Sequence, residues 1–181
     1  MGTATKWTKA KLRELITVIE DQSLNAIGTP KGRENPLSAS WFRVKKAGGK
    51  DVLSRLKLNT ENFFRHKVDG RSEDNMWTTF KDVSGSLKGP RYTKGFVPCN
   101  MKATNDYIDK KNLAYLVNIF VHPVVSNYLT NNDAEVDQDL FGLSEMVQWV
   151  WRSQIRVGNP ITIYIPSQRM RTLFLDWLNT P

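Results

Sequence analysis

ITIYIPSQRMRTLFLDWL, residues 161–178, decides the fold. Its first six residues hold four β-branched side chains and one tyrosine before Pro166, and read as a strand. Ser167 stands where a helix N-cap belongs, ahead of a helical run over 168–178. A strand that turns directly into a helix is the building unit of an α/β fold. NLAYLVNIFVHPVVSNYL, 112–129, repeats the unit: an apolar run suits a strand buried on both faces, and Pro123 suits the first turn of a short helix. Between the two lies a helix predicted over 143–157, with Ser144 as cap and Gly158 just past its last turn. MWTTF, 76–80, is a further short strand. The alternation from residue 76 onward predicts a largely parallel sheet flanked by helices, a three-layer α/β arrangement.

Working toward the N-terminus, residues 8–21 carry Leu12, Leu15, Ile16 and Ile19 on one helical face, with Thr8 as cap. Residues 23–29 read as a short strand. Residues 40–46, SWFRVKK, read as an edge strand or basic ribbon, and 51–66 as a second helix. The glycine-rich, basic stretch 81–95 reads as a mobile loop, and 95–99 as a strand ended by Pro98. All 181 residues are expected to form one α/β domain, with an N-terminal αβ subregion over 1–70 and a core over 76–181.

Hydrophobic residues make up 40% and charged residues 24% of the chain, the balance of a folded protein. A single cysteine, Cys99, excludes an internal disulfide and the usual cysteine zinc sites, and points to the cytoplasm. No apolar run reaches the ~18 residues of a membrane helix, so no membrane partner is expected. Net charge is +8, and residues 1–110 hold 21 Lys/Arg against 12 Asp/Glu. That asymmetry suggests an anionic partner, DNA or RNA, or else a merely solvated basic surface.

Within the helix predicted over 143–157, Gln148, Arg152 and Arg156 are spaced by four. Each is then rotated about 40° from the last, so they form one polar stripe beside the apolar stripe Val147, Trp151 and Ile155. Two guanidiniums in line suit a phosphate, since each donates parallel hydrogen bonds and stays charged. The bland alternative is a solvated face, or pairing with Glu145 or Asp139. Trp149 and Trp151 would face opposite ways on such a helix, leaving one of them for a partner domain or subunit to cover.

The order of elements over the last 105 or so residues resembles the second, C-terminal RecA-like domain of superfamily 2 helicases. MWTTF stands at the family's hydroxyl-rich strand, GFVPCNMKATNDYID at the following strand and loop, and NLAYLVNIFVHPVVSNYL at the next strand and helix. Gln148 and Arg152 match the first two anchors of the family's Q-x-x-G-R-x-x-R helix. Trp151 stands where glycine is usual, and Arg156 one residue beyond the usual last arginine. The resemblance implies that Gln148, Arg152 and Arg156 serve catalysis, by reaching the γ-phosphate of ATP held with magnesium on a partner lobe. It also implies that Thr104, Asn105 and Asp106 touch the nucleic-acid backbone or the nucleotide. It further suggests a source in a phage, plasmid or bacterial replication system. The chain has no G-x-x-x-x-G-K-[ST] phosphate loop, so it is not expected to hydrolyse ATP alone.

Two basic sets add to the nucleic-acid reading. Lys81, Lys88, Arg91, Lys94 and Lys102 surround Tyr92 and Phe96, and Arg43, Lys45 and Lys46 follow Trp41. Cations neutralise phosphates and aromatics stack on unpaired bases, although a solvated loop over core aromatics fits equally. No base-reading motif is present. The two histidines, His66 and His122, are far apart and read as structural, and the acids between Asp133 and Asp139 read as a solvated loop rather than a metal site. The rival functions are a stand-alone, non-enzymatic nucleic-acid-binding or inhibitory module, and a protein–protein adaptor using the tryptophan helix.

Overall fold

The computed structural model describes residues 7–49, 51–101 and 104–181. Twelve regular elements order the described chain: α1 (Lys9–Leu15), β1 (Ile16–Val18), α2 (Gln22–Asn25), α3 (Ala39–Ala47), α4 (Asp51–Asn62), β2 (Asn75–Thr78), α5 (Ser84–Leu87), β3 (Asn112–Tyr115), α6 (Pro123–Asn131), α7 (Gln138–Val150), β4 (Ile161–Tyr164) and α8 (Gln168–Asn179). The four strands form one sheet in the order β1-β4-β3-β2, and every pairing is parallel. The expected three-layer α/β architecture is therefore present.

Strand alternation sorts the core onto two faces. Met76, Leu113, Tyr115, Val117, Ile161 and Ile163 meet Leu12 of α1, Trp149 of α7 and Phe174 of α8. Their neighbours Trp77, Ala114, Leu116 and Tyr164 meet Trp41 and Phe42 of α3, Leu56 of α4 and Leu87 of α5. One residue faces each way in turn, as the period of two requires. Helices cover both faces because a parallel sheet has no face to leave in water.

Several local expectations are corrected. The helix read over 8–21 stops at Leu15, and Ile16–Val18 form β1 at the sheet edge. Leu12 and Ile16 serve either conformation, but Ile16, Thr17 and Val18 are β-branched in succession and pair in register with Ile161, Thr162 and Ile163. Residues 23–29 are not a strand. Asp21 caps the short α2 by accepting from Leu24 N at 3.1 Å, and Ala26–Gly28 continue as a 3-10 turn. Residues 40–46 are helical, not an edge strand: Ser38 caps α3 by accepting from Trp41 N at 3.3 Å, and Trp41 and Phe42 are buried.

The stretch 81–95 is not a free loop, since it folds into 3-10 turns and α5. Residues 95–99 make only one bridge, Phe96 to Trp77, beside β2. Regular pairing of β3 ends at Tyr115, although Leu116 N still reaches Thr78 O at 3.0 Å. The helix read over 143–157 starts five residues earlier, capped by Asp137 rather than Ser144, and ends at Val150. Ser153 breaks it: its hydroxyl donates to Val150 O at 2.7 Å, and its extended backbone leads into a separate 3-10 turn, Gln154–Val157. Gly158 closes that turn at φ 83°, the left-handed position that favours glycine.

Candidate functional site

The break after Val150 dissolves the predicted stripe. Gln148 is exposed and its amide donates to Ser144 Oγ at 3.2 Å. Arg152 lies in the turn after α7, only 7% exposed. Arg156 sits on the 3-10 turn and its Nη1 donates to Thr104 O at 3.4 Å. The three side chains therefore do not share one edge of one helix. The 3-10 turn that bears Arg156 lies toward the amino ends of the strands: Gln154 N bonds Lys110 O, just before β3 begins, and Thr162 N bonds Lys111 O. Open α/β sheets take ligands at the carboxyl ends. Both tryptophans of this region are buried, Trp149 with its indole N–H donating to Val97 O at 2.9 Å, so neither awaits a partner. Trp151 turns inward because it follows the last helical residue and is not held to a 100° step.

The basic residues fare differently. Arg43, Lys46, Lys81, Lys88, Arg91 and Lys94 are exposed. Lys46 Nζ donates to Asp82 O at 3.0 Å, which joins the end of α3 to the turn carrying Lys81. Lys45 is half-buried, near Glu34 at 3.3 Å and over the Trp41 ring at 5.9 Å. At the other end of β2, Arg91 and Arg71 line one shallow hollow of about 360 Å³ with Asp69, Gly70 and Ser72. The cations form two groups, at the carboxyl and amino ends of β2. Lys102 lies outside the described residues, and Asn105 is exposed in the loop after it.

Tyr92 is not available to stack on a base. It is fully buried, packed at 5.0 Å on Phe64, and its hydroxyl donates to Leu87 O at 2.6 Å. Phe96 lies half-buried against Trp77 at 5.0 Å. The interleaved aromatics are core, and the cations around them are what remains for solvent.

The fold concentrates charge more than the sequence showed. Residues 31–94 carry 15 Lys/Arg and 7 Asp/Glu, a surplus of 8 that equals the net charge of the whole chain. That segment builds the helices over the Trp77–Tyr164 face of the sheet. The helices packed on the opposite face, α1, α7 and α8, lie outside it. Sequence reasoning missed Arg55, Lys57 and Arg65, which extend the basic layer along α4 and the Phe63–Lys67 segment. Their signal is the alternation of cations with the buried Leu53, Leu56 and Phe63.

Two other places gather polar side chains around an arginine. At the carboxyl ends of β1 and β4 the chain leaves toward opposite faces, into α2 and into α8. A hollow of about 500 Å³ there is lined by Glu20, Gln22, Asn25, Ala26, Thr29 and Arg171. Arg171 is already committed, its Nη1 donating to Ile165 O at 2.8 Å and Pro166 O at 3.2 Å, and burial lowers its pKa. Arg169, another residue that sequence reasoning passed over, clamps the loop after β3. It bonds Asn118 Oδ1 and Ile119 O at 2.7 Å and Gln138 O at 2.9 Å, pairs with Asp139 at 3.1 Å and stacks on Phe120.

His122 is structural: its Nδ1 accepts from Val124 N at 3.2 Å and caps α6. Asp137 and Asp139 are likewise a helix cap and an ion-pair partner. Among the described residues no group of three or more His, Cys, Asp or Glu could hold a metal ion. No described helix is long and apolar enough to cross a membrane.

Comparison with known proteins gives a family in place of the helicase lobe. The model of the YonV C-terminal Rossmann-like domain matches residues 10–178. The chain is also similar to the SPbeta prophage-derived uncharacterized protein YonV of Bacillus subtilis strain 168, 42% identical over 181 residues. The match covers 98% of this chain and 42% of that protein, so the chain spans less than half the length of its relative. No solved structure matches. The parallel sheet, its two helical layers and the match along nearly the whole chain agree: the chain belongs to the family of YonV C-terminal Rossmann-like domains.

Proposed function

We propose that the domain binds the phosphate backbone of DNA or RNA through its basic helical layer, as a non-catalytic module. The carrying observation is the segregation of charge across the sheet: one layer holds a surplus equal to the chain's entire net charge. The cation groups flank the four-residue β2, whose ends are about 13 Å apart at ~3.3 Å per extended residue. That is the axial rise of roughly four duplex base pairs. Exposed lysines and arginines at this spacing neutralise phosphates without reading bases. Contact with ATP and magnesium on a partner lobe is disfavoured, because Arg152 is buried and Arg156 is tied back to Thr104.

The test is fluorescence anisotropy with single-stranded and duplex oligonucleotides of several sequences. Reversing Lys46, Lys81 and Lys88 to glutamate should weaken binding to all of them alike. Reversing Lys11, an exposed lysine on α1, should leave binding unchanged. Equal losses from the two sets, or loss with only one sequence, would remove the basic layer as the interface.

A further inference from the structure

Arg152 is nearly enclosed, 7% exposed, yet its Nε and Nη1 atoms have no hydrogen-bond partner. No ion pair among the described residues includes it. Two more buried atoms are unpartnered on the same side of the sheet: Thr78 Oγ1 at the end of β2 and the Tyr115 hydroxyl at the end of β3. The ionisable groups that act on the guanidinium are Glu145, Cys99, Tyr107 and Tyr115. Thr78 belongs to the same group, since it is the register partner of Tyr115, whose ring packs at 5.2 Å on Trp149, three residues before Arg152. All four unpartnered atoms can donate a hydrogen bond. Buried donors left without acceptors are costly, and a buried unpaired cation more so. A ring of donors around a cation is the complement of an oxyanion.

We infer that Arg152, Tyr115 and Thr78 form a receptor for a phosphate-type oxyanion, lodged between the end of α7 and the carboxyl ends of β2 and β3. The neighbouring groups suit that occupant. Burial holds the Tyr115 phenol far above its usual range, so it stays a donor. Burial also raises the Glu145 carboxyl against the pull of Arg152. The cysteine thiol is pushed up by burial and stays neutral beside the anion. The receptor lies on the opposite face of the sheet from the basic layer, so the two stand or fall separately.

The experiment is thermal unfolding of this chain at matched ionic strength in chloride, in inorganic phosphate, and with a 5′-phosphorylated oligonucleotide or its unphosphorylated twin. The wild type should show a saturable rise in midpoint with a phosphate-bearing ligand and none with chloride. A rise with inorganic phosphate assigns a free ion; a rise only with the phosphorylated strand, and not its twin, assigns a strand end. Arg152→Met should abolish the rise, yet be no less stable than wild type in chloride, since it removes an unpaired buried cation. If Arg152→Met does not fold, the near-isosteric pair Tyr115→Phe and Thr78→Val decides, and should weaken the response severalfold. No specific rise in the wild type, an equal rise in Arg152→Met, or an unweakened rise in the pair would overturn the receptor.

Discussion

Gly28→Ala should destabilise the domain by about 2–4 kcal/mol, through backbone collision alone. A Cβ at Gly28 would lie 1.7 Å from Pro166 O, 2.3 Å from Pro166 C and 2.8 Å from Ser167 N. All three are backbone atoms, so no flexible side chain can swing aside. The displaced segment holds two devices. Ser167 Oγ accepts from Met170 N at 3.3 Å and caps α8, and losing a cap costs about 1 kcal/mol. Pro166 O and Ile165 O accept from Arg171, and hydrogen bonds to a charged group contribute about 1.5–3 kcal/mol. Urea unfolding followed by tryptophan fluorescence measures the change, and the melting point should fall by roughly 4–16 °C for a chain of this size. Gly85→Ala is the control. Nothing lies within 4 Å of a Cβ there, and it sits in α5, so it should be neutral or stabilising by up to about 1 kcal/mol. If Gly28→Ala unfolds within about 0.5 kcal/mol of wild type, the close approach of the α2 turn to the end of β4 is wrong.

Other outcomes follow from single contacts. Tyr92→Phe should lose about 1 kcal/mol of stability with its hydroxyl bond to Leu87, while leaving oligonucleotide affinity unchanged; a fall in affinity would restore Tyr92 as a stacking residue. Arg169→Met should cost about 3 kcal/mol, because Asn118 Oδ1, Ile119 O and Gln138 O lose their common donor, and chemical denaturation reads this directly. The Asp21 carboxyl is held well below its ordinary range by Lys67 at 2.8 Å, Ser23 and the Leu24 amide. Its contribution is therefore present above the unfolded carboxylate pKa and is lost as pH falls toward the folded value. Stability measured between pH 5 and pH 2 should fall less steeply in Asp21→Asn than in wild type.

What the sequence disclosed depended on how local the controlling physics was. β4 and α8 were legible because Ile161, Ile163 and Ile165 share a period of two, and Ser167 supplies the cap within the same stretch. Pro123 and Gly158 marked their helix ends for equally local reasons. β1 was hidden because three residues cannot display a period, and Leu12 and Ile16 also lie on one helical face. α3 is hidden because Trp41, Arg43 and Lys45 mimic alternation, while its cap Ser38 lies just ahead of that alternating stretch. The end of α7 depended on one hydroxyl, that of Ser153, turning back on Val150.

Site residues divided the same way. The cations of the basic layer were visible as composition, but their gathering over one face of the sheet needed the topology. Tyr92 looked like a stacking residue because burial by Phe64 and Trp77 comes from distant segments. Arg152 was singled out for its spacing from Gln148, whereas its isolation among Thr78, Tyr115 and Cys99 arises only when β2, β3 and α7 meet.

The salt dependence of oligonucleotide binding tests the basic layer most directly. Six exposed cations, Arg43, Lys46, Lys81, Lys88, Arg91 and Lys94, set the scale if each meets one phosphate. The slope of log K against log salt should then be about −5 on duplex and about −4 on single strands, a loss of roughly a thousandfold between 50 and 200 mM on duplex. Each lysine of the layer changed to glutamine should make the slope shallower by about 0.9 on duplex. A slope near zero, or one that the glutamine variants leave untouched, would contradict the account.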